Sequence, residues 1–259
     1  MRAEVILPVG ALYGFLLVLA RVAGVFVFVP LPGVRNGPEM VRVMLALGIA
    51  LSLAPQWPRL AAAPGAGQLA GWLILEAALG LALGLAVQFF TESFVMAAQV
   101  VGLQAGYSYA SMIDPQTQAD SGVLLVFAQL AAGLLFFALG LDGQVLRAIA
   151  QSLEMNPPGA WTPPAAAGEA VVRLGAGMFA AGMRLAMPAV ALLVLVDIAL
   201  ALLGRLHAQL QLLTISFPVK MLAALAVLAW TSVLLPEVAR GYWRQALAMV
   251  RALLGLAGG

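Results

Sequence analysis

Residues 68–104 read QLAGWLILEAALGLALGLAVQFFTESFVMAAQVVGLQ. The stretch is apolar almost throughout and contains no proline. It lacks the strict alternation of a barrel strand and is rich in Leu and Ala, so it reads as a helix. At 1.5 Å per residue one helix of this length reaches roughly 55 Å. That exceeds the bilayer hydrocarbon, so the helix must tilt, kink or project beyond the membrane. A chain carrying such a segment is an integral membrane protein, and the rest of the sequence agrees.

Of the 259 residues, 63% are hydrophobic and 9% charged, with a mean hydropathy of +1.03. Soluble domains carry about 25% charged residues. One water-soluble core cannot hide this much apolar side chain. The apolar residues also fall in blocks whose length suits a bilayer. They run from about Val9 to Val29, Met40 to Ala54, Gln68 to Gln104, Gly122 to Leu141, Val171 to Leu206 and Leu212 to Leu235. Prolines and glycines punctuate them at Pro30–Gly33, at Pro55, Pro58 and Pro64, at Asn156–Pro164 and at Pro236. Pro188, inside the fifth block, is expected to kink its helix. The fold class expected is all-α, a polytopic helical membrane protein. Glu4, Pro8 and Arg21 interrupt the first block, which is read as a retained span rather than a cleaved leader. The tail from Glu237 to Leu254 is amphipathic and is expected to lie at an interface or in the cytoplasm.

Net charge is +2. The basic residues are scattered, so no nucleic-acid patch is present. Cysteine is absent, which removes disulfides, thiolate metal sites and a cysteine nucleophile. The single histidine, His207, excludes a two-histidine zinc motif. There is no phosphate-binding Gly-rich motif, and Gly106-Tyr107-Ser108-Tyr109-Ala110 lacks the second glycine of a nucleophile elbow. The chain therefore reads as neither an enzyme nor a cofactor carrier; no cofactor, metal or catalytic residue is assigned.

Function should lie where polarity breaks the apolar pattern. Arg21 falls near the middle of the first block, on a stripe with Gly10, Gly14, Leu17, Gly24 and Phe28. It is either a buried structural charge with a partner or a transport residue. In the third block Glu76, Gly80, Gly84, Gln88 and Thr91 share a face. The pattern suits a seam turned toward protein or a wet lumen. Arg184 and Asp197 lie on roughly opposite faces of the fifth block, so neither can pair with the other. Lys220, across a hairpin, is a candidate for Asp197. The stretch GLQAGYSYASMIDPQTQADSG, 102–122, separates two apolar blocks and breaks any helix at Asp114-Pro115. It is either a short extramembrane loop or a broken segment lining a conduit.

These residues together resemble the FliR family of flagellar type III export-gate membrane proteins, which is related to the SctT family of virulence secretion. The resemblance rests on LARVAGVFVFVPLPG (19–33), RVMLALGIALSLAP (42–55), Glu76 with Gly80 and Gly84, GLQAGYSYASMIDPQTQADSGVL (102–124), SLEMNPPG (152–159) and SFPVKML (216–222). Their order and spacing make it specific. The chain departs from the pattern at Gln144, where a histidine is usual, and at residues 205–211, which lack the family's proline and asparagine.

The resemblance implies a subunit of a cone-shaped export gate. It implies a FliP-like part over residues 1–168 and a FliQ-like hairpin with an amphipathic tail over residues 169–259. FliP-like, FliQ-like and FlhB-like subunits would be its partners in the bacterial inner membrane, within the flagellar basal body. Unfolded flagellar proteins would be its cargo. The segment about 106–122 would plug the closed pore, with Gly106, Tyr107, Ser108, Tyr109, Met112, Ile113, Asp114, Pro115 and Gln116 forming the plug. Arg21, Glu76, Gly80, Gly84, Gln88, Arg184, Asp197 and Lys220 would be packed against neighbouring subunits or buried. The virulence counterpart and, as a different class, a small-solute transporter are the alternatives.

Overall fold

A computed structural model describes residues 9–28, 39–58, 64–107, 122–206 and 212–254. Among them every regular element is helical: α1 (Val9–Phe28), α2 (Glu39–Ser52), α3 (Ala66–Ala105), α4 (Gly122–Ala138), α5 (Leu141–Met155), α6 (Ala167–Leu206), α7 (Leu212–Thr231) and α8 (Leu235–Leu253). Short 3₁₀ turns occupy Ala54–Gln56 and Ser232–Leu234. Four helical stretches are long and apolar enough to cross a bilayer: α1, α3, α6 and Ser216–Leu253; the bent pair α4–α5 makes a fifth. The all-α polytopic reading of the sequence holds, and α3 and α6 are each one unbroken helix of 40 residues. Pro188 lies inside α6 without ending it.

Two elements differ from the sequence reading. Residues 141–155, passed over between the fourth apolar block and the Pro-rich loop, form α5. Its polar residues hid it from a search for apolar runs. Only one face is buried, through Leu141, Ile149, Ser152 and Leu153. Pro236 was expected to end the last apolar block. Instead the chain makes its 3₁₀ turn two residues earlier and starts α8 at Leu235. Proline fits the first turn of a helix, where its missing N–H is not needed.

The chain divides into two compact units interleaved along the sequence. The first comprises Met1–Phe89, Phe136–Gly175 and Arg244–Gly259. Its buried residues include Leu17, Val18, Val22 and Val25 of α1, Leu79, Leu83 and Val87 of α3, Ile149 and Leu153 of α5, and Met249 and Leu253 of α8. The second comprises Phe90–Leu135 and Ala176–Trp243. Here Phe90, Phe94 and Val101 of α3, Ala128 and Ala132 of α4, Leu185, Ala189 and Leu193 of α6, Val227 of α7 and Trp243 of α8 are buried. Phe90 meets Trp243 edge-on with ring centroids 6.4 Å apart, a favoured aromatic geometry.

In α8 the apolar face (Ala239, Tyr242, Trp243, Ala246, Met249, Val250, Leu253) is buried, while Arg240, Arg244 and Arg251 are exposed. The apolar face of the amphipathic tail is therefore covered by the protein itself. The outward surfaces of the long helices remain apolar, with Leu134, Phe179, Leu195, Leu202, Leu222 and Trp230 all exposed.

Candidate functional site

The first unit is built around one buried ion pair. Three glycines create the space for it. A Cβ on Gly80 would overlap the Arg21 carbonyl, one on Gly84 would come 2.6 Å from the Val25 carbonyl oxygen, and one on Gly24 would come 2.7 Å from that of Ala77. Only hydrogen fits at these positions, so α1 and α3 touch backbone to backbone. The glycine seam read from the sequence is thus filled from within the chain, by α1.

That approach brings Arg21, 0% exposed, to Glu76, 1% exposed. Arg21 Nε donates to Glu76 Oε2 at 2.5 Å. Its Nη1 donates to the Ser152 carbonyl at 2.7 Å and to Ser152 Oγ at 3.1 Å, and its Nη2 donates to the Asn156 carbonyl at 3.0 Å. Ser152 Oγ in turn donates to the Ile149 carbonyl at 2.7 Å. The Gly159 amide donates to Glu76 Oε1 at 2.9 Å. Gly159 has φ 88°, and a Cβ there would press on the Trp72 ring at 3.2 Å. A buried charge pair is stable only when its remaining donors and acceptors are met, and this one meets them from α5 and the following loop.

The same loop closes the end of α8. Trp161 Nε1 donates to the Leu253 carbonyl at 3.1 Å, and Asn156 Nδ2 to that of Leu254 at 3.3 Å. Carbonyls at a helix C-terminus have no partner within the helix, so SLEMNPPG and Trp161 serve as its cap. The node ties together α1, α3, α5, the loop and α8. Its donors and acceptors are engaged with one another.

A second node lies in the second unit. Lys220 Nζ of α7 sits 2.9 Å from Asp197 Oδ1 and 3.1 Å from Oδ2. Gln104 Nε2, on the penultimate residue of α3, donates to Asp197 Oδ2 at 3.0 Å. The Lys220 side chain is 16% exposed and that of Asp197 43%. Lys220 is thus the partner considered for Asp197 from the sequence, and Gln104 is an addition. Gly182 of α6 lies on α3, where a Cβ would come 2.9 Å from the Ser93 carbonyl oxygen.

Directly beyond Gln104, α3 ends. The Gly106 amide donates to the Leu103 carbonyl at 3.2 Å and the Tyr107 amide to the Gly102 carbonyl at 3.0 Å. With Gly106 at φ 83°, these are the paired bonds of a Schellman cap, which requires a left-handed residue. Burial pushes the Tyr107 phenol above its ordinary pKa. Of the expected plug, Gly106 and Tyr107 are described; Ser108, Tyr109, Met112, Ile113, Asp114, Pro115 and Gln116 lie outside the described residues, as does His207. Gln88 is half-buried on α3. Arg184 is exposed on α6, with Ala180, Met187, Ala191, Leu195, Ile198 and Leu202 along the same exposed stripe. It has no ion-pair partner among the described residues.

Sequence reasoning singled out Arg21 and Glu76 separately but not as a pair. Ser152, Asn156 and Gly159 entered only as part of a family-like run. The usable signal was that two lone charges of opposite sign, each on a glycine stripe, belong together.

Long apolar helices joined by two internal polar nodes define a polytopic α-helical membrane protein. Comparison with known proteins makes the class specific. The chain belongs to the family described as bacterial export proteins, family 1, whose profile matches residues 12–246. It is similar to the flagellar biosynthetic protein FliR of Bacillus subtilis (strain 168), at 28% identity over 250 residues, covering 94% of this chain and 95% of that one. The FliR of Escherichia coli (strain K12) is 29% identical over 212 residues, covering 82% and 81%. That of Caulobacter vibrioides is 27% identical over 215 residues, covering 82% and 86%.

Proposed function

We infer that this chain is a subunit of the flagellar protein-export gate, forming part of the conduit by which unfolded flagellar proteins cross the inner membrane. One observation carries the reading: the export-family match runs from α1 into α8, residues 12–246. The relatives that cover most of the chain bear a flagellar name, which favours the flagellar system over its virulence counterpart.

On this reading the chain sits in the bacterial inner membrane at the flagellar basal body. It assembles with FliP-like and FliQ-like subunits and with an FlhB-like one, and catalyses no reaction. Residues 1–168 form its FliP-like part and residues 169–259 its FliQ-like hairpin. The exposed apolar faces of α6 and α7 are supported as assembly surfaces by their composition, since such faces suit either lipid or helices of other subunits. The segment following the Gly106 cap plugs the closed conduit, with Tyr107 supplying bulk at its start.

The test is affinity purification of a tagged chain from detergent-solubilised membranes of its host, paired with a motility assay on a strain lacking the gene. Co-purification of small polytopic helical membrane subunits and loss of the flagellar filament are expected. A chain recovered alone as a self-sufficient oligomer that binds a small solute, in a motile deletion strain, would contradict the assignment.

A further inference from the structure

We propose that Gln104, Asp197 and Lys220 are positioning residues that hold the C-terminal end of α3 against α6 and α7, and so fix where the chain leaves α3. Two independent observations meet here. The first is the polar cluster: Asp197 accepts from Lys220 and from Gln104, which lies two residues before the Gly106 cap. The second is steric. A Cβ on Gly106 would come 2.8 Å from Cδ1 of Phe217, three residues before Lys220 on α7. The cap is therefore seated on α7 by contact and fastened through Asp197 by hydrogen bonding.

The chemistry suits a latch better than a permanent bolt. Each partner is a single side chain on a different helix. The Asp197 side chain is 43% exposed, so a polar group of a neighbouring protein can replace its partners at lower cost than in a sealed core. Charge in an apolar span is rare and tends to mark functional sites. The pair fixes α6 to α7, and Gln104 is the bond that extends this fixation to α3.

The chain contains no cysteine, so Tyr107→Cys gives this subunit one thiol at the cap. In the assembled complex of a strain carrying that change, the rate of modification by a membrane-impermeant maleimide reports how firmly the cap is held. Gln104→Leu and Asp197→Asn should each raise the rate about tenfold, the population shift that loss of a charge-assisted hydrogen bond produces. Complex yield should stay unchanged, and exchanging the charges (Asp197→Lys with Lys220→Asp) should bring the rate back toward the parent. If Asp197→Asn prevents assembly, Gln104→Leu leaves the ion pair in place and decides alone. Unchanged rates in assembled variants would overturn the proposal.

The consequence for permeability rests on the plug reading above, and deletion of residues 108–118 separates the two. A leaky deletion with unchanged labelling in the latch variants keeps the plug and removes the latch. Raised labelling with membranes that stay tight, even in the assembled deletion, keeps the latch and removes the plug.

Discussion

Among the described residues two ion pairs join one apolar helix to another, and they are built differently. Arg21–Glu76 is sealed: both side chains are essentially inaccessible, and donors and acceptors from α5 and its loop complete the shell. Asp197–Lys220 is open on one side, with a carboxylate 43% exposed and one neutral side chain as the third member. Their surroundings differ in the same sense. The first pair lies where Gly24, Gly80 and Gly84 bring two backbones into contact; the second lies beside a glycine cap where a helix stops. A sealed pair specifies which helices meet. An open pair can be remade with a different partner, which suits a part of the molecule that has to move or to meet a neighbour.

The contrast can be broken first at Arg21. Arg21→Leu leaves Glu76 buried without its cation and should cost about 3–5 kcal/mol; loss of recovered complex and faster proteolysis in membranes would register it. Replacing both residues by Leu should cost less than replacing either alone, because no uncompensated charge remains. Next, Gly80→Ala forces α1 from α3 at the Arg21 carbonyl. A cost of about 1–3 kcal/mol is expected from overpacking, read as a lowered thermal midpoint in detergent. Gly106→Ala should follow at about 1–2 kcal/mol from the left-handed backbone, with its larger effect on Tyr107→Cys labelling. Last, Arg173 and Glu169 form an exposed i,i+4 pair on α6 at 2.6 Å. Arg173→Ala should cost about 0.5 kcal/mol or less, with unchanged complex recovery.

Much of the architecture was legible because bilayer-length apolar runs leave few options. The extents of α1, α3, α4 and α6 follow from hydropathy with proline and glycine punctuation. α5 was not legible in that way. A helix that packs one face against protein carries an amphipathic pattern, and Asp142, Gln144, Arg147, Gln151 and Glu154 dilute its apolar residues. The same limit applied to the site. Hydropathy flags Arg21 and Glu76 as out of place, yet pairing residues 55 positions apart requires knowing which glycines abut. The helix that fills the seam was left open for a related reason: a small-residue stripe signals close approach by some helix without saying whose. Lys220 was within reach as a partner for Asp197 because α6 and α7 are consecutive. Gln104 was not, since a neutral side chain near a helix end carries no distinguishing mark.

The most direct test sets Arg21→Leu beside Asp197→Asn in one host and measures intact membrane complex by native electrophoresis, with Tyr107→Cys labelling on whatever assembles. The account predicts that the first variant loses most of its complex, and that the second assembles at parental yield with a cap labelled about tenfold faster. Equal yields and equal labelling for the two would contradict it.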